Sequence, residues 1–247
     1  MSESYRALCS DHYVNQKLNL KLDLPRDRQT TLDLFDRVRR EFPAMDQVRR
    51  YRDELALESR SEGANHQWLA IRSNNIRSGS VNPESIDQAY RFHMYIVEAS
   101  PYFLSISPLD VDYIELLYGF DLLASGNHNE IVHQALIAET PLGQLLDLPG
   151  AVPIDCQPVF GIALRDPQQL EVCFEVKTRA GSRGRAPEAH AEPISVYLTL
   201  RKYGPVAVLK DLPDILRNMA DRGEELVESR VLPCLIAPIR QIIGPGA

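Results

Sequence analysis

The 247 residues are 44% hydrophobic and 25% charged, ordinary values for a chain long enough to bury a sizeable core. A formal net charge of −7 gives no global pull toward nucleic acid or an anionic membrane, and no apolar run nears the ~20 residues needed to cross a bilayer. Four widely spaced cysteines (Cys9, Cys156, Cys173, Cys234) without a C-x-x-C pair, and an N-terminal MSESYRALCSDHY without a basic-then-apolar leader, read as a cytoplasmic protein with reduced thiols.

Residues 12–24, HYVNQKLNLKLDL, alternate Val14, Leu18, Leu20 and Leu22 with Tyr13, Asn15, Lys17 and Asn19, which predicts a half-buried strand ending at Pro25. Thr30 then caps a predicted helix, with Asp33 at its third position and Leu34, Phe35, Val38 and Phe42 on its apolar face. Two weaker strands are predicted near 48–59 and 66–73. Asn82-Pro83-Glu84 predicts the start of a second helix, with Ile86, Tyr90, His93 and Val97 inward and Ser100-Pro101 as its stop. Residues 102–107 are expected to be extended.

In 110–122, DVDYIELLYGFDL, Ile114, Leu116, Tyr118, Phe120 and Leu122 alternate with Tyr113, Glu115 and Asp121, a strand again, with Asp112 in phase with the apolar set. Asn127-His128-Asn129-Glu130 predicts a helix start, and a Pro- and Gly-punctuated connector fills 141–158. Strands are predicted at 159–164, 170–179 and 194–203, with 180–192 as a hairpin tip. A long helix is predicted from Asp211-Leu212-Pro213, divided by Pro233 and Pro238.

The order strand, helix, strands, helix occurs twice. The expected fold is therefore α+β: two tandem β-α-β-β-(β)-α units, residues 1–107 and 108–247, related by internal duplication. They share one core, and the helices cover one face of the sheet. On this reading the acids of DVDYIELLYGFDL decorate the wet side of a strand.

No sharp catalytic motif is present: no phosphate-cradling glycine loop, no H-E-x-x-H and no G-x-S-x-G. His128 and His133 fall about 140° apart on a helix and do not share a metal. Cys9-x-x-His12 is half of a zinc spacing without a second half. His93, on an apolar helix face, reads as a hydrogen-bonded core histidine, and Asp155 opposes a thiolate at Cys156. The arginines between Arg37 and Arg52 interleave with acids, as in salt-bridged faces. No metal, cofactor or catalytic residue is expected.

The element order also resembles a sporadically distributed bacterial family of uncharacterised proteins with no assigned activity. The resemblance rests on an opening strand, "LFDRVRREFPAMDQ" (34–47), "QWLAIRSNNIR" (67–77), "YRFHMYIVEAS" (90–100), "DVDYIELLYG" (110–119) and a C-terminal strand plus helix. The chain departs from that pattern in its 141–158 connector and its basic 181–185 tip. The resemblance implies no substrate and no site residues.

The functional expectation is a non-enzymatic interaction module. With helices on the aliphatic face, the opposite sheet face carries Tyr13, Asn15 and Lys17, then Tyr113 and Glu115, then Tyr197, Arg201 and Tyr203. Tyrosine with arginine and asparagine is the composition of recognition surfaces, and also of a solvated sheet face. A protein partner or a second copy fits such a face, and the net charge of −7 makes nucleic acid an unexpected partner. The alternative expectation is an enzyme or small-molecule binder with a cavity near His93 or the 141–158 connector.

Overall fold

The computed structural model describes residue 5 and residues 7–25, 27–60, 64–165, 169–179 and 192–244. Strand β1 (Asp11–Leu20) leads into helix α1 (Arg28–Glu41). Strands β2 (Met45–Arg50), β3 (Leu55–Ser59), β4 (His66–Ile71) and β5 (Asn75–Val81) then meander into helix α2 (Ile86–Phe103). The second half runs β6 (Val111–Leu123), α3 (His128–Leu136), β7 (Val159–Ala163), β8 (Glu171–Lys177) and β9 (Pro193–Tyr203). It ends in α4 (Leu212–Leu226), a π-helical stretch Val227–Ile236, and α5 (Ala237–Ile243). The fold is α+β. Among the described residues nine strands join one antiparallel sheet in the order β2-β3-β4-β5-β1-β6-β9-β8-β7, so the seam between the halves is the β1–β6 pair.

The period-two pattern becomes two chemically distinct sheet faces. On β1, His12, Val14, Gln16, Leu18 and Leu20 are buried, and the residues between them are half-buried. Helix α2 packs on β1 and β5, and α4 packs on β6, β9 and α2. The buried side chains form one continuous core from both halves, including Leu34, Phe92 and Leu116. At ~25 cal/mol per Å² of apolar area, each fully buried Leu or Phe contributes about 1.5–3 kcal/mol. None of the helices among the described residues is long and apolar enough to cross a membrane.

Several local expectations are corrected. The first half carries four strands after α1, not two. Tyr51 N–H donates to Glu54 C=O (2.9 Å) and Arg72 N–H to Asn75 C=O (2.9 Å), closing two hairpins inside charged, polar text that hid them. Strand β5, NIRSGSV, has little apolar content and is recognisable only by its pairing with β1 and β4. Helix α1 is capped by Asp27, not Thr30: Asp27 Oδ1 accepts from Gln29 N–H at 3.0 Å, and Thr30 donates its hydroxyl to Oδ2.

Helix α2 begins at Ile86 behind Ser85, whose Oγ accepts from Gln88 N–H. Asn82 instead sits at φ 45°, accepts from His12 N–H (3.0 Å) and donates to Asp11 (2.6 Å). That ties the end of β5 to β1 and delays the helix. Pro101 does not stop α2 but lies in its last turn, where it removes one intrahelical N–H and the helix runs on, so residues 102–103 are helical rather than extended. Asp112 leaves the apolar phase because the β1–β6 register shifts between Asn19 and Leu20, which gives the buried position to Val111. The C-terminal helix is divided by ten π-helical residues around Pro233, wider than a kink at each proline. The predicted tip at 180–192, with the basic run 181–185, lies outside the described residues apart from Glu192.

Candidate interaction surface

The register assembles the predicted residues row by row. Tyr13 and Tyr197 both pair with Gly119; Lys17 and Arg201 both pair with Glu115; Asn15 pairs with Leu117; Tyr113 pairs with Tyr203. Tyr13, Asn15, Lys17, Tyr113, Glu115, Tyr197, Arg201 and Tyr203 therefore share the face opposite Val14 and Tyr118, on β1, β6 and β9. Pairing extends the charged row to Glu171 on β8 and Arg77 on β5, giving Glu171–Arg201–Glu115–Lys17–Arg77.

Two aromatic clusters stand on this face. In the first, the Arg201 guanidinium lies 4.7 Å from the Tyr113 ring centroid and 5.7 Å from that of Tyr203. Arg201 Nε donates to Glu115 Oε2 at 2.9 Å, Nη2 donates to the same oxygen, and Nη1 donates to Tyr203 Oη at 2.9 Å. Lys17 Nζ donates to Tyr113 Oη at 2.7 Å. Every arginine nitrogen thus has a partner, and the carboxylate and phenols hold the guanidinium charged.

In the second cluster, the Tyr13 and Tyr197 rings lie 6.3 Å apart over Gly119. Burial raises the Tyr13 hydroxyl, and its hydrogen bond to Tyr197 raises it further. Asp121 accepts from Ser195 Oγ at 2.6 Å; burial is the largest cause raising its carboxyl. A Cβ at Gly119 would overlap the Tyr13 ring, so glycine is what lets that ring lie flat on the sheet.

Sequence reasoning missed a third such arrangement. The Trp68 ring covers Gly79 on the neighbouring strand, with Arg77 5.8 Å from the indole. Gly79 in NIRSGSV carries no apolar alternation to mark it, and its aromatic neighbour depends on the β4–β5 pairing. Beyond Arg201 the face opens into a hollow of about 430 Å³ lined by Gly161, Glu171, Cys173, Glu175 and Thr199. Burial, then the Glu175 charge, pushes the Cys173 thiol up, away from thiolate chemistry.

The other candidates have partners within the fold. His93 is fully buried. Its Nε2 lies 3.0 Å from Val14 C=O, which only accepts, so Nε2 carries the proton and Nδ1 accepts from Ser78 Oγ at 2.8 Å. Ser78 has no second proton for Gln16, so Gln16 turns its NH2 toward Ser78, and its oxygen accepts from Leu18 N–H at 2.9 Å. Burial lowers His93 to a pKa of about 4. Four surface cavities of about 220 to 810 Å³ have neither His93 nor Cys156 in their walls.

Cys156 donates its N–H to Asn129 Oδ1, and burial and Asp155 raise its thiol. His128 is buried, with Nε2 3.1 Å from Ala124 C=O. The arginine-rich segment pairs as Arg39–Asp36 (3.4 Å) along α1 and Arg49–Glu58 (3.1 Å) across β2–β3. Among the described residues, no group of three or more His, Cys, Asp or Glu is placed to hold a metal ion. Compared with known proteins, the chain matches no family model and no curated protein.

Proposed function

We propose that the protein is a non-enzymatic interaction module that binds a protein partner on the tyrosine-bearing face of β1, β6 and β9. The observation that carries this reading is the alternating row Glu171–Arg201–Glu115–Lys17, with Tyr113 and Tyr203 stacked beside its cations. A polyanion would meet Glu115 and Glu171 as closely as the cations, which disfavours nucleic acid. A protein surface of mixed charge matches such a row, and tyrosine offers contact area at low entropy cost. The rings are already held by one another and by the cations, so little side-chain freedom remains to be lost on binding.

We also propose that residues 1–107 and 108–247 descend from one duplicated unit, with the helices on the face of Val14 and Tyr118 and the tyrosine-bearing face left to the partner. Support comes from the mirrored strand order. Each half returns its last strand, β5 or β9, beside its own first strand, and the two first strands meet at the seam.

The test is the double variant Tyr113→Ala/Tyr197→Ala used as bait beside the wild type. Loss of the captured partner with an unchanged circular dichroism spectrum is expected. Unchanged capture overturns the reading.

A further inference from the structure

We propose that the protein is a symmetric homodimer joined edge to edge through β7, so that two nine-stranded sheets run on as one. The two sheet edges are built differently. At one end, β2 reads MDQVRR, with a register shift after Met45 and with Arg49 and Arg50, the devices that blunt an open edge. At the other, β7 reads VFGIA, without charge, proline or register shift, and all five residues are exposed. Among the described residues no strand pairs with its outer side.

The hydrogen-bond phase makes this edge self-complementary. Val176 N–H donates to Pro158 C=O (3.0 Å) and Leu164 N–H to Leu170 C=O (2.8 Å), each directly opposite in the register. Antiparallel bonding alternates by two, so Phe160 and Ile162 bond inward to β8. The N–H and C=O of Val159, Gly161 and Ala163 therefore point outward, at the first, third and fifth positions. A two-fold axis at Gly161 pairs Gly161 with itself and Val159 with Ala163, and every outward group meets a donor or acceptor of the second copy. The same operation sets Phe160 of one copy beside Ile162 of the other on one face. These side chains are 56% and 47% exposed in the single chain.

Charge and apolar exposure agree with a second copy as the occupant. Each chain carries −7, so a like-with-like contact needs a neutral seam, and Val159–Ala163 hold no charged group. From Leu142 to Ile162, nine large apolar side chains are at least 40% exposed. Three of them, Val159, Phe160 and Ile162, lie on β7 itself. In the joined sheet the tyrosine-bearing faces of both copies lie on the same side.

Light scattering over about 10–100 µM chain tests the proposal, with wild type expected at twice the chain mass. Gly161→Pro removes an outward N–H without touching the β8 ladder, and no neighbouring atom lies within 4 Å of a Cβ there. Ile162→Lys puts a charge on the half-exposed face of the seam. Both are expected at single-chain mass with an unchanged circular dichroism spectrum. Tyr113→Ala/Tyr197→Ala is expected to stay dimeric, which separates this contact from the tyrosine-bearing face. In the wild type, amide exchange at Val159, Gly161 and Ala163 should be as slow as at Phe160 and Ile162. A monomeric wild type, a dimer that survives both β7 variants, or fast exchange at those three amides in the dimer overturns the proposal. So does a wild type that pairs through β7 only with a different chain.

Discussion

Acid sensitivity centred on His93 follows from its place in the core. The imidazole is neutral in the fold, with its pKa held at about 4 by burial, against 6.5 when exposed in the unfolded chain. Between these values the unfolded chain binds a proton that the native state does not, so stability is complete above pH 6.5 and is lost as pH falls toward 4. Each pH unit in that window is worth up to about 1.4 kcal/mol, and the whole window about 3 kcal/mol. His93→Gln retains a donor and an acceptor for Val14 and Ser78 but does not titrate. It is expected to be less stable than wild type at pH 8 by about 1–3 kcal/mol, the penalty for imperfectly met buried polar groups. Urea unfolding at half-unit steps from pH 4 to 8 should show the two stabilities converging as pH falls. Curves that stay parallel across the window would refute the reasoning, because every other titrating group is common to both proteins.

Other substitutions probe the remaining contacts. Tyr118 Oη lies 2.6 Å from Tyr90 Oη and donates to Ala220 C=O (3.2 Å), so Tyr118→Phe should cost about 1–3 kcal/mol in urea unfolding; no loss would show that these bonds are replaced. Gly119→Val is expected to lift the Tyr13 ring from Tyr197 and cost about 1–3 kcal/mol in thermal unfolding, while Gly161→Ala, with open space around its Cβ, should be near neutral. Glu115→Gln leaves Arg201 its two phenol neighbours and a third of its side-chain surface in water, so the loss should stay below ~1 kcal/mol and shrink in high salt; several kcal/mol would refute that partition.

The candidate face was legible because strand alternation is written in single residues. Tyr13, Asn15 and Lys17 had to leave the side of Val14 and Leu18, and Tyr197 and Arg201 the side of Val196 and Leu200, whichever strands lay next to them. Trp68 and Arg77 were not legible as members of that face. Their strands sit among hairpins closed by Tyr51–Glu54 and Arg72–Asn75, where backbone bonds rather than Gly or Pro make the turn. The caps at Asp27 and Ser85 were displaced for a related reason. Thr30 and Asn82 were eligible by type, and a local bond to Asp27 and tertiary bonds to His12 and Asp11 assigned them other work.

The amino-acid order by itself determined which faces of β1, β6, β8 and β9 are buried, where α3 and α4 begin, and that the fold is α+β. All of these follow from side chains within one or two turns of one another. Tertiary structure alone decided that β1 and β6 meet at the centre, that Arg201 and Lys17 flank one carboxylate, and that β7 is left at an open edge. Strand neighbours are chosen by the shared burial of distant segments, and no local pattern encodes which edge remains unpaired.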